Sequence, residues 1–500
     1  MSAHRLRGPR RWVWWMAVCL LVSTAACSFI LHHDASQCDT DTDCERFGSH
    51  PSCQNGVCVS SGLGPAACVY FAPPAMPEQP DDFRNQCSTA ACVPCTGVCG
   101  DAGPPLVPPE AGAATAVVES GDAAPAYPNC VDPAAGRGTV VFINGSSTWP
   151  PLMQKLAPIV IADGGPVPVF QTTSSCAAVA SIYGGTPMVD PPPGSSATYA
   201  QYYGSDGTAV NCLLGEGGVP VDIGASDVYA TSCNFAADAG PVDHTGAIQA
   251  IAFVVPSTST QTNISAEAAR EVFGTGGNDG GTAPWTDPQL YYVRNAGAGS
   301  QQMIARTIQV PPSQLWGVDQ GTAGKLVKNM EELTSLSSAE PAIGFVSVTS
   351  YDPARGSLQA LAYRDWGQDC AYLPDSTKDS KDKQNVRDGH YPIWGPIHFL
   401  TPQNPSDAAA SFLAIVALPV PTTDLVDAYV ASSMVPTCAM SVTRPGLTDI
   451  GPLSTYTPPV GCECYFESKT GGAPASCVAC PDSPCPAGRP SCNLGYCEVQ

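Results

Sequence analysis

The chain has 500 residues, a net charge of −22, only 13% charged side chains and 24 cysteines. So acidic a balance excludes a nucleic-acid binder, because phosphate backbones are gripped by basic patches. So many cysteines argue against the reducing cytosol and for a disulfide framework.

The first 26 residues read as a signal peptide. Arg5, Arg7, Arg10 and Arg11 precede an apolar run over residues 12–26, which is short for a membrane span. Small residues then lead into Cys27, which resembles the lipidated cysteine of a bacterial lipobox, with Thr24 where leucine is usual. Ordinary cleavage near Ala25 or Ala26, or an uncleaved anchor, is the alternative. Losing Cys19 with the leader and Cys27 to a lipid leaves 22 cysteines, an even number. Losing the four arginines takes the charge to −26. No later run is long and apolar enough to cross a bilayer.

Residues 27–99 are cysteine-dense, with little apolar periodicity. Residues 100–135 are rich in Pro, Ala, Gly and Asp, a semi-extended linker with nothing to bury. Residues 136–443 hold a large core, expected as two lobes, and residues 444–500 are cysteine-dense again. The two ends share one pattern: "PSCQNGVC" at 51–58 and "PSCNLGYC" at 490–497 both read P-S-C-x-x-G-x-C. Two small disulfide knots of one type are expected, as spacers, caps or contacts to other envelope proteins. Cys92-x-x-Cys95 and Cys477-x-x-Cys480 leave zinc as an alternative, without paired histidines at ligand spacing.

Within the body, residues 139–143 predict a strand. Residues 152–162 predict a helix with Leu152, Leu156, Ile159 and Val160 on one face. Residues 167–171 predict a second strand, leading through "TTSSCAAVASI" into a hydroxyl-rich helix start. Residues 221–225 predict a third strand ending in Ser226-Asp227, and residues 247–256 a long buried one. A helix capped by Ser265, then a strand, glycine-rich turn and helix over "YYVRNAGAGSQQMIARTI", then the strand "AIGFVSV" complete the series. The alternation implies an α/β fold with mostly parallel sheets.

Ligands of open α/β sheets bind beyond the carboxyl ends of strands, where helices begin. Four predicted strand ends carry similar polar groups: Ser146 to Trp149, Thr172 to Ser175, Ser226-Asp227, and Arg294 through Gly297 to Ser300. Hydroxyls and helix N-termini can bind an oxyanion without net positive charge, since desolvated short-range donors outlast a field screened within about 10 Å. Helix capping is the simpler use of the same residues. Arg294 suits a planar bidentate grip on oxygens. Asp227 can accept a hydrogen bond from a protonated anion and repel sulfate, which has no proton to give.

At these residues the sequence resembles the phosphate-specific solute-binding proteins of ABC transporters, including the DING-type phosphate binders. "NGSSTWP", "QTTSSCAAVASI", "VDIGASDV", "HTGAIQAIAFVVP", "ISAEAAREVFGTG", "APWTDPQL" and "PAIGFVSV" follow in family order from about residue 138 to 397. The resemblance implies a two-lobed periplasmic-binding-protein fold of type 2, closing on a dehydrated oxyanion without a reaction. It implies a backbone N–H and hydroxyl from Thr148 and Trp149, the same from Ser174, proton acceptance by Asp227, a grip from Arg294, and donors from Gly299 and Ser300. Two positions depart: Ala296 replaces the aspartate that pairs with the arginine, and Ala298 replaces a ligand-binding serine. An insertion over residues 184–220 carries Cys212, expected to bridge Cys176 or Cys233, and tyrosines that could line or cover the cleft.

The expectation is an exported lipoprotein in the envelope of a Gram-negative-type bacterium. It would bind phosphate or a similar oxyanion for an ABC permease or a sensor, without a cofactor or metal. The alternative is a cell-surface interaction protein with a degenerate binding domain. His244, His390 and His398 sit in no recognisable nucleophile motif, so no enzyme activity is expected.

Overall fold

The computed structural model describes residues 127–499 apart from gaps at 132–137, 193–194, 196, 237–239, 278–281, 369, 419, 447, 473 and 481–483, with the short stretches 52–54 and 57–59. The chain divides into two compact units, residues 1–61 and 62–500. In the first, strands β1 (Ser52–Gln54) and β2 (Val57–Val59) form an antiparallel hairpin with Cys53 opposite Cys58. Cys27 and the linker lie outside the described residues.

The second unit is built on one mixed sheet. Its strands are β3 (Val140–Ser146), β4 (Val167–Thr173), β5 (Ala200–Tyr203), β6 (Ala209–Cys212), β7 (Ile223–Ser226), β8 (Val242–Pro256), β10 (Tyr291–Val293), β11 (Val318–Asp319), β12 (Ile343–Ser347), β13 (Leu358–Ala360) and β15 (Trp394–Thr401). The shorter β9 (Asn263–Ser265) and β14 (Ala362–Arg364) pair with each other. The order runs β11-β10-β12-β8-β15-β7-β3-β4-β5-β6, with β13 added on β8. β3 runs parallel to both β4 and β7, and β10 runs parallel to both β11 and β12. The two parallel groups are joined through antiparallel β8 and β15.

β8 explains the join. Its apolar run is long enough to serve two neighbourhoods: residues 242–250 pair with β15, and residues 251–256 pair with β12 and β13. Distinct apolar cores form on either side. One gathers Val141, Trp149, Leu152, Leu156, Phe170, Phe399 and Phe412, and another Ala252, Val254, Leu326, Met330 and Val346. Five helices matter for the site: α1 (Pro150–Ala162), α2 (Ser175–Tyr183), α3 (Ala266–Thr275), α4 (Gly299–Thr307) and α5 (Ala323–Glu331). Among the described residues no helix is long and apolar enough to cross a membrane.

The described part of the insertion joins the sheet. β5 and β6 form a hairpin that extends the sheet beyond β4, with Tyr203 fully buried against the first core. Its turn is fitted to α1. Pro158 lacks the N–H that would satisfy the Gln154 carbonyl. Gly207, at φ +78, brings its backbone so close that a Cβ there would lie 2.4 Å from that oxygen. The expected bridges also differ: Cys212 pairs with Cys130, and Cys176 with Cys233.

The chain beyond 443 remains part of the body. Arg444 is buried 4.1 Å over the Trp394 ring and donates to the carbonyls of Trp394 and Pro392. Cys438–Cys462 ties on a helix, Glu463–Thr470, whose Glu463 and Glu467 hold the buried Arg387 at 3.0 and 3.1 Å. Outside it lies a hairpin, Ser491–Asn493 with Tyr496–Glu498, again with two cysteines opposite each other. These bridge outward, Cys480–Cys492 and Cys485–Cys497, with Cys464–Cys477 beside them. The shared P-S-C-x-x-G-x-C pattern therefore forms the same hairpin at both ends.

Candidate functional site

The side-by-side parallel strands β7, β3 and β4 deliver their carboxyl ends to one place. Asp227, directly after β7, is 2% exposed and accepts three kinds of donor. Thr148 Oγ1 lies 3.0 and 3.1 Å from its two oxygens, the Trp149 indole Nε1 3.0 Å from Oδ1, and Ser175 Oγ 3.3 Å from Oδ2. Ser175 Oγ also accepts the Asp227 backbone N–H at 3.2 Å. Burial pushes the Asp227 carboxyl above the usual range, against the downward pull of bonds from Ser146, Thr148, Trp149 and Ser175.

The opposite side comes from β10 and β11. Arg294 is 3% exposed, donating from Nε to the Gly321 carbonyl at 3.0 Å and from Nη2 to Ser147 Oγ at 3.2 Å. Burial lowers its pKa, and the carboxylates of Asp319 and Asp227 raise it. Asp319 is thus one of two carboxylates acting on Arg294, and its Oδ1 also accepts the Gly321 N–H at 2.8 Å. Ser147 further accepts the Ala323 N–H at the start of α5, at 3.5 Å.

The helix starts differ in what they leave free. α1 opens with Pro150 and Pro151, which have no N–H, and the Trp149 N–H is spent on the Ser146 carbonyl at 3.2 Å. The Trp149 backbone N–H, expected from the sequence as a ligand donor, is thus engaged within the protein, and it is the indole that reaches Asp227, fully buried, with its ring edge-on to Phe399 at 5.0 Å. At α2, Ser174 caps the Ala177 N–H at 3.2 Å, and the Cys176 N–H goes to the Gly297 carbonyl at 3.0 Å. α4 is different. Its cap position is Ala298, with no side-chain cap, so its leading N–H groups keep their donor capacity.

Gly299 brings that uncapped start against Asp227. A Cβ there would lie 2.5 Å from Ser175 Oγ and 2.6 Å from Asp227 Cβ, so only glycine allows the approach. Ser300 follows, buried, in the first turn of α4. Thr148, Trp149 and Gly299 thus meet Asp227 directly, Arg294 stands beside them through Ser147, Ser174 is the cap residue before Ser175, and Ser300 follows Gly299. Sequence inspection missed Ser147, Ser175, Asp319 and Gly321. The first two sit in hydroxyl runs already singled out, and the last two in a D-Q-G turn just before Thr322, which caps α5 at the Lys325 N–H.

No family model matches the sequence. Among solved structures, the chain is similar to one assigned as a phosphate ABC transporter substrate-binding protein with bound phosphate from Clostridium perfringens. That match has 13% identity, covers 60% of this chain and 100% of the other, and has a TM-score of 0.42. An ABC-type phosphate transport receptor from Vibrio cholerae matches at 14% identity over 59% and 99% of the two chains, TM-score 0.37. An OxyR mutant from Porphyromonas gingivalis matches at 11% identity over 55% and 92%, TM-score 0.32.

Proposed function

We propose that this chain binds phosphate or a related oxyanion between two lobes, one carrying β3, β4, β7, α1 and α2, the other β10 to β12 and α3 to α5, with β8 and β15 as the crossing. The observation that carries this is the meeting at Asp227 of the Thr148 and Ser175 hydroxyls, the Trp149 indole and the uncapped start of α4, with the Arg294 guanidinium bonded to Ser147 beside them. A carboxylate there favours a protonated anion and repels sulfate. Arg294, the start of α4 and the Ser147 hydroxyl supply the donors, without the excess charge that the acidic chain lacks.

The protein works as an exported lipoprotein anchored at Cys27, handing its ligand to an ABC permease or a sensor. Six disulfides among the described residues support an oxidising compartment. The sulfurs of Cys480, Cys485 and Cys497 lie within 4.8 Å of one another, but each is in a bridge, which favours the disulfide over the zinc alternative. A second reading, an interaction protein whose site has closed on itself, is favoured by the Arg294–Ser147 bond and by the donors already spent at α1 and α2. Thermal denaturation with phosphate, arsenate and sulfate decides between them. Micromolar binding stabilises by about 4 kcal/mol at a thousandfold excess. Absence of any shift refutes binding and leaves the second reading.

A further inference from the structure

Asp227 and Ser175 do not meet through strand pairing. Asp227 follows β7 and Ser175 follows β4, and β3 lies between those strands. Two strand spacings separate their ends by about 10 Å. The contact instead depends on α2 folding back over β3, and two features hold it there. Gly224 on β7 lets α2 come close, since a Cβ there would lie 2.6 Å from the Ala178 carbonyl. The Cys176–Cys233 bridge then joins the residue after Ser175 to the short helical turn Ala230–Cys233 that follows Asp227, with a Cα–Cα distance of 5.2 Å.

That turn is also where the other wall is fastened. Arg306, in the last turn of α4, donates to Ser232 Oγ and to the Ser232 carbonyl, each at 2.9 Å. Asp449, buried in the C-terminal strap, accepts from Ser232 Oγ and, at 3.2 Å, from the Tyr229 N–H. Cys176 itself donates its N–H to Gly297, in the loop that carries Arg294. The start of α2, the turn after Asp227, the end of α4 and the segment around Asp449 therefore meet at one cross-link.

We propose that the Cys176–Cys233 bridge is the positioning element of the oxyanion site, so that the site is assembled in the oxidised protein and relaxed in the reduced one. The affinity part rests on the binding function proposed above; the positioning part does not. Its loss lets α2 slide away from the Asp227 turn, removing the Ser175 hydroxyl from the carboxylate and the Gly297 contact from α2.

The test compares wild type, Cys176→Ala/Cys233→Ala, and Cys130→Ala/Cys212→Ala as a bridge-loss control outside the site. Two readouts are taken: the inorganic phosphate dissociation constant, and hydrogen exchange of the Trp149 indole N–H, assigned by its absence in Trp149→Phe. In the first variant the indole, which donates to Asp227, should exchange at least about tenfold faster, and the dissociation constant should rise about tenfold, the scale of one lost bond to a charged group. The control should change neither. Adding Ser175→Ala to the first variant should cost little more, because the same bond is already gone. Unchanged indole exchange in a folded variant overturns the proposal, as does full additivity with Ser175→Ala. If wild type binds no phosphate, the binding reading fails and the indole exchange alone decides the positioning claim. If the alanine pair does not fold, Cys176→Ala/Cys233→Val refills the lost volume; failure of both to fold makes the bridge a global staple and overturns its local role.

Discussion

Gly299 offers a sharp test of the packing around Asp227. A methyl group added there meets Ser175 Oγ at 2.5 Å, Asp227 Cβ at 2.6 Å and Asp227 Oδ2 at 3.0 Å, all inside ordinary contact distance. None of these neighbours can easily retreat. Ser175 and Asp227 are buried, bonded to each other, and held by the bridge at Cys176. The start of α4 must therefore lift by several tenths of an ångström or more, at a cost of about 1–3 kcal/mol for overpacking. Gly324 is the matched control, since it lies in α5 and a Cβ there meets nothing within 4 Å. Gly324→Ala should stabilise by about 0.5–1 kcal/mol through helix propensity. Urea denaturation of the two variants should give shifts of opposite sign, and phosphate affinity should fall only for Gly299→Ala. A neutral Gly299→Ala would refute the close approach of α4 to Asp227.

Asp365 is 4% exposed, and burial pushes its carboxyl up to about 6 from 3.8. A raised folded pKa gives stability that is full below the unfolded value and lost as pH rises through 6. That is about 3 kcal/mol over two units. Asp365→Asn keeps an acceptor for the Tyr363 hydroxyl, 3.0 Å away, so denaturation at pH 7 should show a gain of up to that size, vanishing near pH 4. Trp149→Phe removes a donor from a buried carboxylate and should cost at least about 2 kcal/mol in denaturant midpoint analysis, with loss of folding cooperativity not expected. Arg294→Lys cannot reproduce the paired bonds to Gly321 and Ser147, and calorimetry should show a ten- to hundredfold weaker phosphate affinity. Asp227→Asn should erode discrimination between phosphate and sulfate in the same titration.

Strand ends were legible because alternation and turn residues mark them locally, and Asp227 and Arg294 follow strands that form where the apolar runs stand. The choice among neighbouring hydroxyls was not. Ser174 and Ser175 are indistinguishable by type, and only the way α2 lies across β3 makes one a cap and the other a partner of Asp227. Pro150 and Pro151 did carry a readable signal, since two residues without N–H leave a helix start poor in donors. Arg444 and Asp449 read as the opening of a cysteine-rich tail, yet both are buried in the body through partners 50 to 220 residues away in sequence. Disulfide pairing was beyond local reading for the same reason: Cys130–Cys212 and Cys176–Cys233 depend on which strands become neighbours. Ala296 flagged a missing counter-charge, and only the fold shows Asp319 near enough to act on Arg294.

The central claim is that the groups around Asp227 form a site for a protonated oxyanion. Isothermal titration of phosphate and of sulfate into wild type and Arg294→Ala tests it most directly. The account predicts micromolar phosphate binding by wild type, no measurable sulfate binding, and loss of the phosphate signal in the variant. Equal binding of both anions, or phosphate binding that survives Arg294→Ala unchanged, would contradict it.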